Sequence, residues 1–301
     1  MRQYTLVQQK QRYLAHILIE KMSEEIVLIT GTSSGIGLST AALLAKQTNN
    51  KFKVYASMMD TDEKNQLLEK TAGCSNVVVI ELDVRSEHSV NAAVKEILEN
   101  EGRIDVLVNN AGIQWMGPLE CQSWQSIEDL YNTNVFGLLR MARAVIPSMK
   151  KHKKGRIVNI SSLAGLIATP FLTVYSSSKY AIEGITDSLA PELSAFNVHV
   201  IAVEPGPVLT PLLKSISPEV GNMSSDNPTK VLVDKFVKNL RKTVTPYMLP
   251  DECGEYIMKV IIEEDPQPHY MICKEMEGFF KTKYCDLSGR ISFESSKKLL
   301  E

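Results

Sequence analysis

Ile26-Val27-Leu28-Ile29-Thr30-Gly31-Thr32-Ser33-Ser34-Gly35-Ile36-Gly37 is the stretch on which the reading of the fold turns. Its apolar opening reads as a buried strand, and three glycines close it in a sharp turn. An apolar helical pattern over residues 38–46 follows at once. A strand running through a glycine turn into a helix lets backbone approach a pyrophosphate, whose charge meets the helix N-terminus. Gly31, Ser33, Ser34, Gly35, Ile36 and Gly37 are therefore candidate nucleotide-binding residues. The spacing is GxxxGxG, a variant of the GxGxxG fingerprint.

Outward from that turn, strand-like and helix-like segments alternate. Strands are expected over residues 26–30, 52–57, 77–82, 104–109, 156–161, 198–204 and 270–272. Helices are expected over 38–46, 64–70, 87–98, 127–149, 175–195 and 252–262. Continuous apolar strands between helices predict an α/β fold: a doubly wound, Rossmann-type parallel sheet of about seven strands, with ligands at their carboxyl ends. The chain divides into an extension over 1–23, a single Rossmann-type domain over 24–272 and a tail over 273–301. Residues 211–250 are polar and Pro-punctuated and are expected to form a mobile lid. The tail is expected to hold a helix near 279–284 and to fray over 295–301.

Composition bounds the function. The chain has 301 residues, 44% hydrophobic and 23% charged, with a net charge of -2. That balance gives no reason to expect nucleic acid as a partner. The five cysteines are scattered with no CxxC pair, and the histidines are dispersed, so neither a disulfide framework nor a metal centre is expected. The apolar run at residues 13–19 is too short for a membrane span and lacks a cleavage site. A cytoplasmic protein is expected, with peripheral membrane contact through an amphipathic turn as the alternative. Met22 stands where an ordinary start methionine would sit. The basic run at 150–154 is read as a solvated helix end.

Ser162, Tyr175 and Lys179 form the second constellation. Tyr175 and Lys179 are one helical turn apart, so they share a face, and Ser162 precedes the tyrosine by thirteen residues. A cation beside a phenol favours the phenolate, making a proton donor that works near neutral pH. A serine hydroxyl can hold the substrate oxygen meanwhile. Asp83, after the third strand, suits an adenine amino group or, alternatively, a helix N-cap. Asn110, Ala111 and Gly112 end the fourth strand, where a ligand can lie close to backbone. At the ribose position after the second strand stand Met58 and Met59, with no acid before Asp60 and no arginine. Lacking a carboxylate to exclude a 2′-phosphate, the site is expected to take NADP, with NAD as the alternative; Ser33 and Lys64 are the groups in reach.

These motifs together resemble the short-chain dehydrogenase/reductase family over residues 24–272. They are TGTSSGIG at 30–37, NNAG at 109–112, Asn134 in NVFG, Ser162 in NISS, YSSSK at 175–179 and PGPVLT at 205–210. The resemblance implies that Ser162 orients the substrate oxygen, that Tyr175 is the general acid/base and that Lys179 binds the nicotinamide ribose and lowers the tyrosine's pKa. It also implies that Asn134 holds a water behind Lys179, and that Pro205, Gly206, Val208 and Thr210 contact the nicotinamide end. Stretches at 165–171, 181–184 and 203–208, with the tail at 281–289, look like the branch containing estradiol 17-beta-dehydrogenase and photoreceptor retinol dehydrogenase. That branch handles steroid or retinoid alcohols, and its pairing through helices such as 127–149 and 175–195 implies a homodimer. Leu212 and Leu213, at the start of the lid, are candidate contacts for a lipophilic substrate. Reduction of small carbonyls or 3-oxoacyl thioesters, and a non-catalytic nicotinamide-sensing scaffold, are the alternatives.

Overall fold

The computed structural model describes residues 24–298, apart from 48–50, 216–219, 221, 226, 244–246, 274–276 and 287, together with residue 300. The expected extension over 1–23 lies outside the described residues. The strands are β1 (Glu25–Ile29), β2 (Phe52–Met58), β3 (Val77–Glu81), β4 (Val106–Asn109), β5 (Gly155–Ile160), β6 (Val198–Glu204) and β7 (His269–Met271). They form one parallel sheet in the order β3-β2-β1-β4-β5-β6-β7.

Alternation along β1 shows why this sheet is covered on both faces. Val27 and Ile29 belong to one core cluster, with Val54, Val106 and Val108, under helices α1 (Gly35–Ala45) and α8 (Pro250–Ile262). Ile26 and Leu28 belong to the other, with Tyr55 and Leu107. That second cluster is roofed by α3 (Glu87–Glu101), α5 (Leu138–His152) and α6 (Thr173–Ser194). Each such side chain taken from water contributes about 1.5–3 kcal/mol, so a strand apolar at every position is stable only between two layers. α2 (Asn65–Lys70) completes the β2–β3 crossover. Strand order reverses between β1 and β4, and a crevice opens at the carboxyl ends there.

Three expectations need correction. The helix expected over 127–149 is broken into α4 (Trp124–Tyr131), a π-helical segment (Asn132–Gly137) and α5. Apolar periodicity runs through such a bulge, so the pattern alone does not reveal it; π segments cluster at functional sites. The expected lid contains a 3-10 turn (Pro211–Lys214) and a helix, α7 (Pro228–Thr243). Val233 and Phe236, three apart and buried, give α7 the apolar stripe that its polar composition hid. The tail forms α9 (Glu277–Cys285) and a further helix, α10 (Arg290–Lys297), which runs into the start of the stretch over 295–301 expected to fray. No described helix is long and apolar enough to cross a membrane.

Candidate active site

The turns after β1, β4 and β6 converge on the crevice. Gly31 and Gly35 take φ of +70° and +61°, which L side chains rarely adopt. A Cβ on Gly31 would lie 2.9 Å from Ala111 Cα, and one on Gly35 would lie 3.1 Å from Thr210 Cγ2. At Gly37 the added atom would fall 2.3 Å from the Gly31 carbonyl oxygen, so α1 packs on the turn only without a side chain. Ser34 caps α1 in an extended conformation without a side-chain hydrogen bond, and the first turn of α1 carries no acid. That leaves a helix N-terminus able to hold an anion, which fits a dinucleotide's pyrophosphate. Ser33 and Ile36 are half-buried beside it.

Thr30 ties two of these turns together. Its Oγ1 accepts from the backbone N–H of Asn110 and of Ala111, both at 3.0 Å. Asn110 Nδ2 donates back to the carbonyls of Thr30 and Gly31. The Asn110 side chain thus braces the turn, and ligand contact there falls to backbone. A Cβ on Gly112 would approach Asn134 Oδ1 to 3.3 Å.

The adenosine corner differs from expectation. Met58 is a core residue within β2, and Met59 alone faces outward, 61% exposed. Asp60 turns its carboxylate onto its own chain, accepting from Asp62 N. Asp83 is not the cap of α3, because Ser86 takes that role and accepts from Ser89 N. Instead Asp83 pairs with Arg85 through Nε and Nη2, and the guanidinium holds its carboxyl below the usual range. Arg85 Nη2 also lies 3.5 Å from Met59 Sδ. An arginine from the neighbouring strand end therefore stands at a corner where the sequence shows none at the ribose position itself.

Around the reaction centre, Ser162 follows β5 and Tyr175 and Lys179 project from α6. Tyr175 is 6% exposed and packs with Leu130, Ala164 and Val174. Burial pushes its phenol up to about 12, against the pull of the Ser162 hydroxyl. The expected lowering by Lys179 is not what this geometry produces. Lys179 Nζ donates to the Ile160 carbonyl at 2.8 Å and lies 5.6 Å from the tyrosine ring centroid. Burial also lowers the ammonium itself to about 8, with Glu183 partly offsetting. A cation weakened and turned toward a carbonyl cannot outweigh the phenol's desolvation.

Asn134 sits inside the π segment, which aims its side chain inward. Its Oδ1 accepts from Ile113 N at 2.8 Å, and Nδ2 donates to Ile113 O and Ser178 Oγ. It thereby locks the loop after β4 to the residue before Lys179. In the loop after β6, the Pro205 carbonyl accepts from Leu163 N, Gly206 lies against Cys273, and buried Val208 bridges to Met248. Leu212 and Leu213 are half-buried in the 3-10 turn that follows. Farther out, Phe236 of α7 meets Phe171 edge-on at 5.3 Å. Lys283 of α9 bonds to the Leu166 carbonyl and the Tyr180 hydroxyl, so the tail docks beside α6.

A cluster that sequence reasoning missed lies behind Lys179. Ser161 Oγ donates to Glu183 Oε1, and His269 stands between Glu183, Glu204 and Asp187. These residues are scattered between positions 161 and 269, and no local pattern marks them.

The short chain dehydrogenase family matches residues 25–221. The chain is 41% identical over 275 residues to human 17-beta-hydroxysteroid dehydrogenase type 1, covering 89% of this chain and 83% of that protein. It is 36% identical over 282 residues to retinol dehydrogenase 8 of Bos taurus, covering 91% and 89%. Among solved structures, ElxO with NADP bound superposes with a TM-score of 0.67 at 27% identity, over 83% of this chain and 96% of that one. With Ser162, Tyr175 and Lys179 gathered at the carboxyl edge of a seven-stranded doubly wound sheet, the chain belongs to the short-chain dehydrogenase family.

Proposed function

We propose that this enzyme is an NADP(H)-preferring oxidoreductase that interconverts a lipophilic alcohol and its carbonyl, with retinoids or steroids as the substrate class. The observation that carries the reading is Tyr175, a buried phenol whose proton affinity the Ser162 hydroxyl pulls down, one turn from Lys179. A bound reduced nicotinamide supplies the hydride. Ser162 holds the carbonyl oxygen and Tyr175 donates the proton that oxygen needs. Lys179 binds the nicotinamide ribose. A phenol held up at about 12 stays protonated through neutral pH, which suits an acid serving reduction. Lys179 gives up its charge as pH rises through about 8, so reduction weakens above that value. Asn134 positions the loop after β4 against α6.

Gly31, Ser33, Ser34, Gly35, Ile36 and Gly37 would hold the pyrophosphate side, Asp83 the adenine, and Ala111 and Gly112 the stretch between. Pro205, Gly206, Val208 and Thr210 would flank the nicotinamide. Support for NADP comes from Arg85 beside Met59 and from NADP in the related ElxO structure. Support for a lipophilic substrate comes from Leu212, Leu213 and Phe171 around the mouth, and from relatives named for steroids and retinol. The reading also takes the enzyme as cytoplasmic, peripherally membrane-associated in the alternative, and as a homodimer. Exposed Phe136 and Leu139 on the π segment and α5 favour pairing there.

The test is Tyr175→Phe, followed by NADPH absorbance with retinal and estrone. Turnover should fall about 10²–10⁴-fold with NADPH binding retained. Unchanged turnover in the variant overturns the mechanism. Turnover of 3-oxoacyl thioesters alone replaces the substrate class.

A further inference from the structure

His269 opens β7, 65 residues beyond Glu204 and 82 beyond Asp187. Its Nδ1 lies 2.8 Å from Glu204 Oε1 and 3.3 Å from Glu183 Oε2, and its Nε2 lies 2.7 Å from Asp187 Oδ1. Glu204 is 1% exposed and Glu183 is also buried. Among the described residues, Oε2 of neither glutamate takes a hydrogen bond. Two carboxylates so buried repel each other unless a cation stands with them. The imidazole is placed to be that cation.

What the two glutamates hold gives the arrangement its meaning. Glu183 lies one turn beyond Lys179 on α6, and its Oε1 accepts from the hydroxyl of Ser161, the neighbour of Ser162. Gly165 makes room for this contact, since a Cβ there would fall within 2.9 Å of Glu183 Oε1 and 2.8 Å of Ser161 Oγ. Glu204 ends β6 and leads directly into Pro205, whose carbonyl accepts from Leu163 N. On the β7 side, Ile272 N donates to the Glu204 carbonyl.

We propose that His269 is a positioning residue of the active site, pinning Glu183 on the catalytic helix to Glu204 at the root of the 205–210 loop. It thereby keeps Ser162 and Lys179 in place against the loop that would flank the nicotinamide. The inference rests on the reading of Ser162, Tyr175 and Lys179 as the reaction centre.

The groups facing the imidazole fix its behaviour with pH. They are Glu183 and Asp187 on α6 and Glu204 on β6, with Lys179 coupled to Glu183 and Tyr284 on α9 within the field of the three carboxylates. Lys283 stands nearby, bonded to Tyr180. The carboxylates of Glu183 and Glu204 raise the imidazolium to about 11 from 6.5, against its desolvation. A raised folded-state value means that the pin's stabilisation is complete below pH 6.5 and is lost as pH climbs through about 11. Burial meanwhile raises Glu204, with the imidazolium opposing. Without the imidazolium Glu204, already raised by burial, takes up a proton more readily, and the two glutamates lose the group that joins them.

The experiment compares His269→Gln and His269→Arg with the wild-type full chain. In His269→Gln, kcat/KM for carbonyl reduction should drop about tenfold. Its alkaline limb should move from the wild-type position, because the charge around Lys179 changes. His269→Arg, which keeps a cation there, should return both close to wild type. Native-state hydrogen exchange should quicken at Leu163 and Ile272 in His269→Gln and be restored in His269→Arg. A uniform loss of activity with an unmoved pH profile overturns the proposal, as does unchanged exchange at those amides. If the wild type reduces no carbonyl, the catalytic reading fails separately, and the exchange comparison still decides the pin.

Discussion

The candidate nucleotide side and the candidate substrate side of this crevice are built on different principles. Around Gly31 and Gly37 backbone packs on backbone, and the short side chains of Thr30 and Asn110 bond to backbone at strand ends already fixed by the sheet. On the substrate side, α7 and α9 reach the crevice through side chains: Phe236 on Phe171, and Lys283 on Tyr180 and Leu166. Backbone contacts tolerate almost no change of residue. Side-chain contacts tolerate repacking and leave room for different substrates. The difference explains how one half can serve a common cofactor while the other is adapted to a particular carbonyl.

Phe236→Ala breaks the substrate half most strongly. Removing a fully buried aromatic ring costs about 4 kcal/mol. It should appear as faster hydrogen exchange within α7 and a higher KM for lipophilic carbonyls, with NADPH affinity unchanged. Loss of NADPH binding in that variant would show that the two halves are one unit. Gly37→Ala attacks the other half. Its Cβ must displace the Gly31 carbonyl and the Asn110 amide, costing about 2–3 kcal/mol. Cofactor affinity should fall in calorimetric titration while α7 exchange stays as in wild type.

Arg85→Gln is the mildest and most selective. A charge-assisted bond to a 2′-phosphate contributes about 1.5–3 kcal/mol, so NADP binding should weaken about tenfold or more. NAD binding should move far less. Equal weakening of both would mean that Arg85 serves the adenine rather than the phosphate, and would leave the cofactor preference to Ser33 and Lys64.

Much of the nucleotide half was legible in the residues. The apolar run at β1, its glycines and the helix behind them are local features, and local features carry their conformational demands with them. All seven strands were expected within two residues of their observed ends, and the central ones, buried on both faces, are legible because they are largely apolar. The π segment at Asn132–Gly137 was not legible, since a single inserted backbone bond leaves the apolar pattern nearly intact. Nor was α7, whose stripe of Val233 and Phe236 is thin among polar neighbours. Arg85 went unnoticed because the ribose corner was read along β2, while the guanidinium arrives from beyond β3.

The sequence by itself determined that Tyr175 and Lys179 share a helix face, that Ser162 ends a strand, and that glycine backbone meets a helix N-terminus after β1. Those are consequences of spacing, and spacing is local. Only the tertiary structure decided the proton affinities: burial among Leu130, Ala164 and Val174 raises Tyr175, and burial lowers Lys179. It alone brought His269 between Glu183 and Glu204, through the pairing of β6 with β7 and the packing of α6 on β6. Desolvation and long-range charge depend on what surrounds a group in space, and the chain acquires those surroundings only by folding.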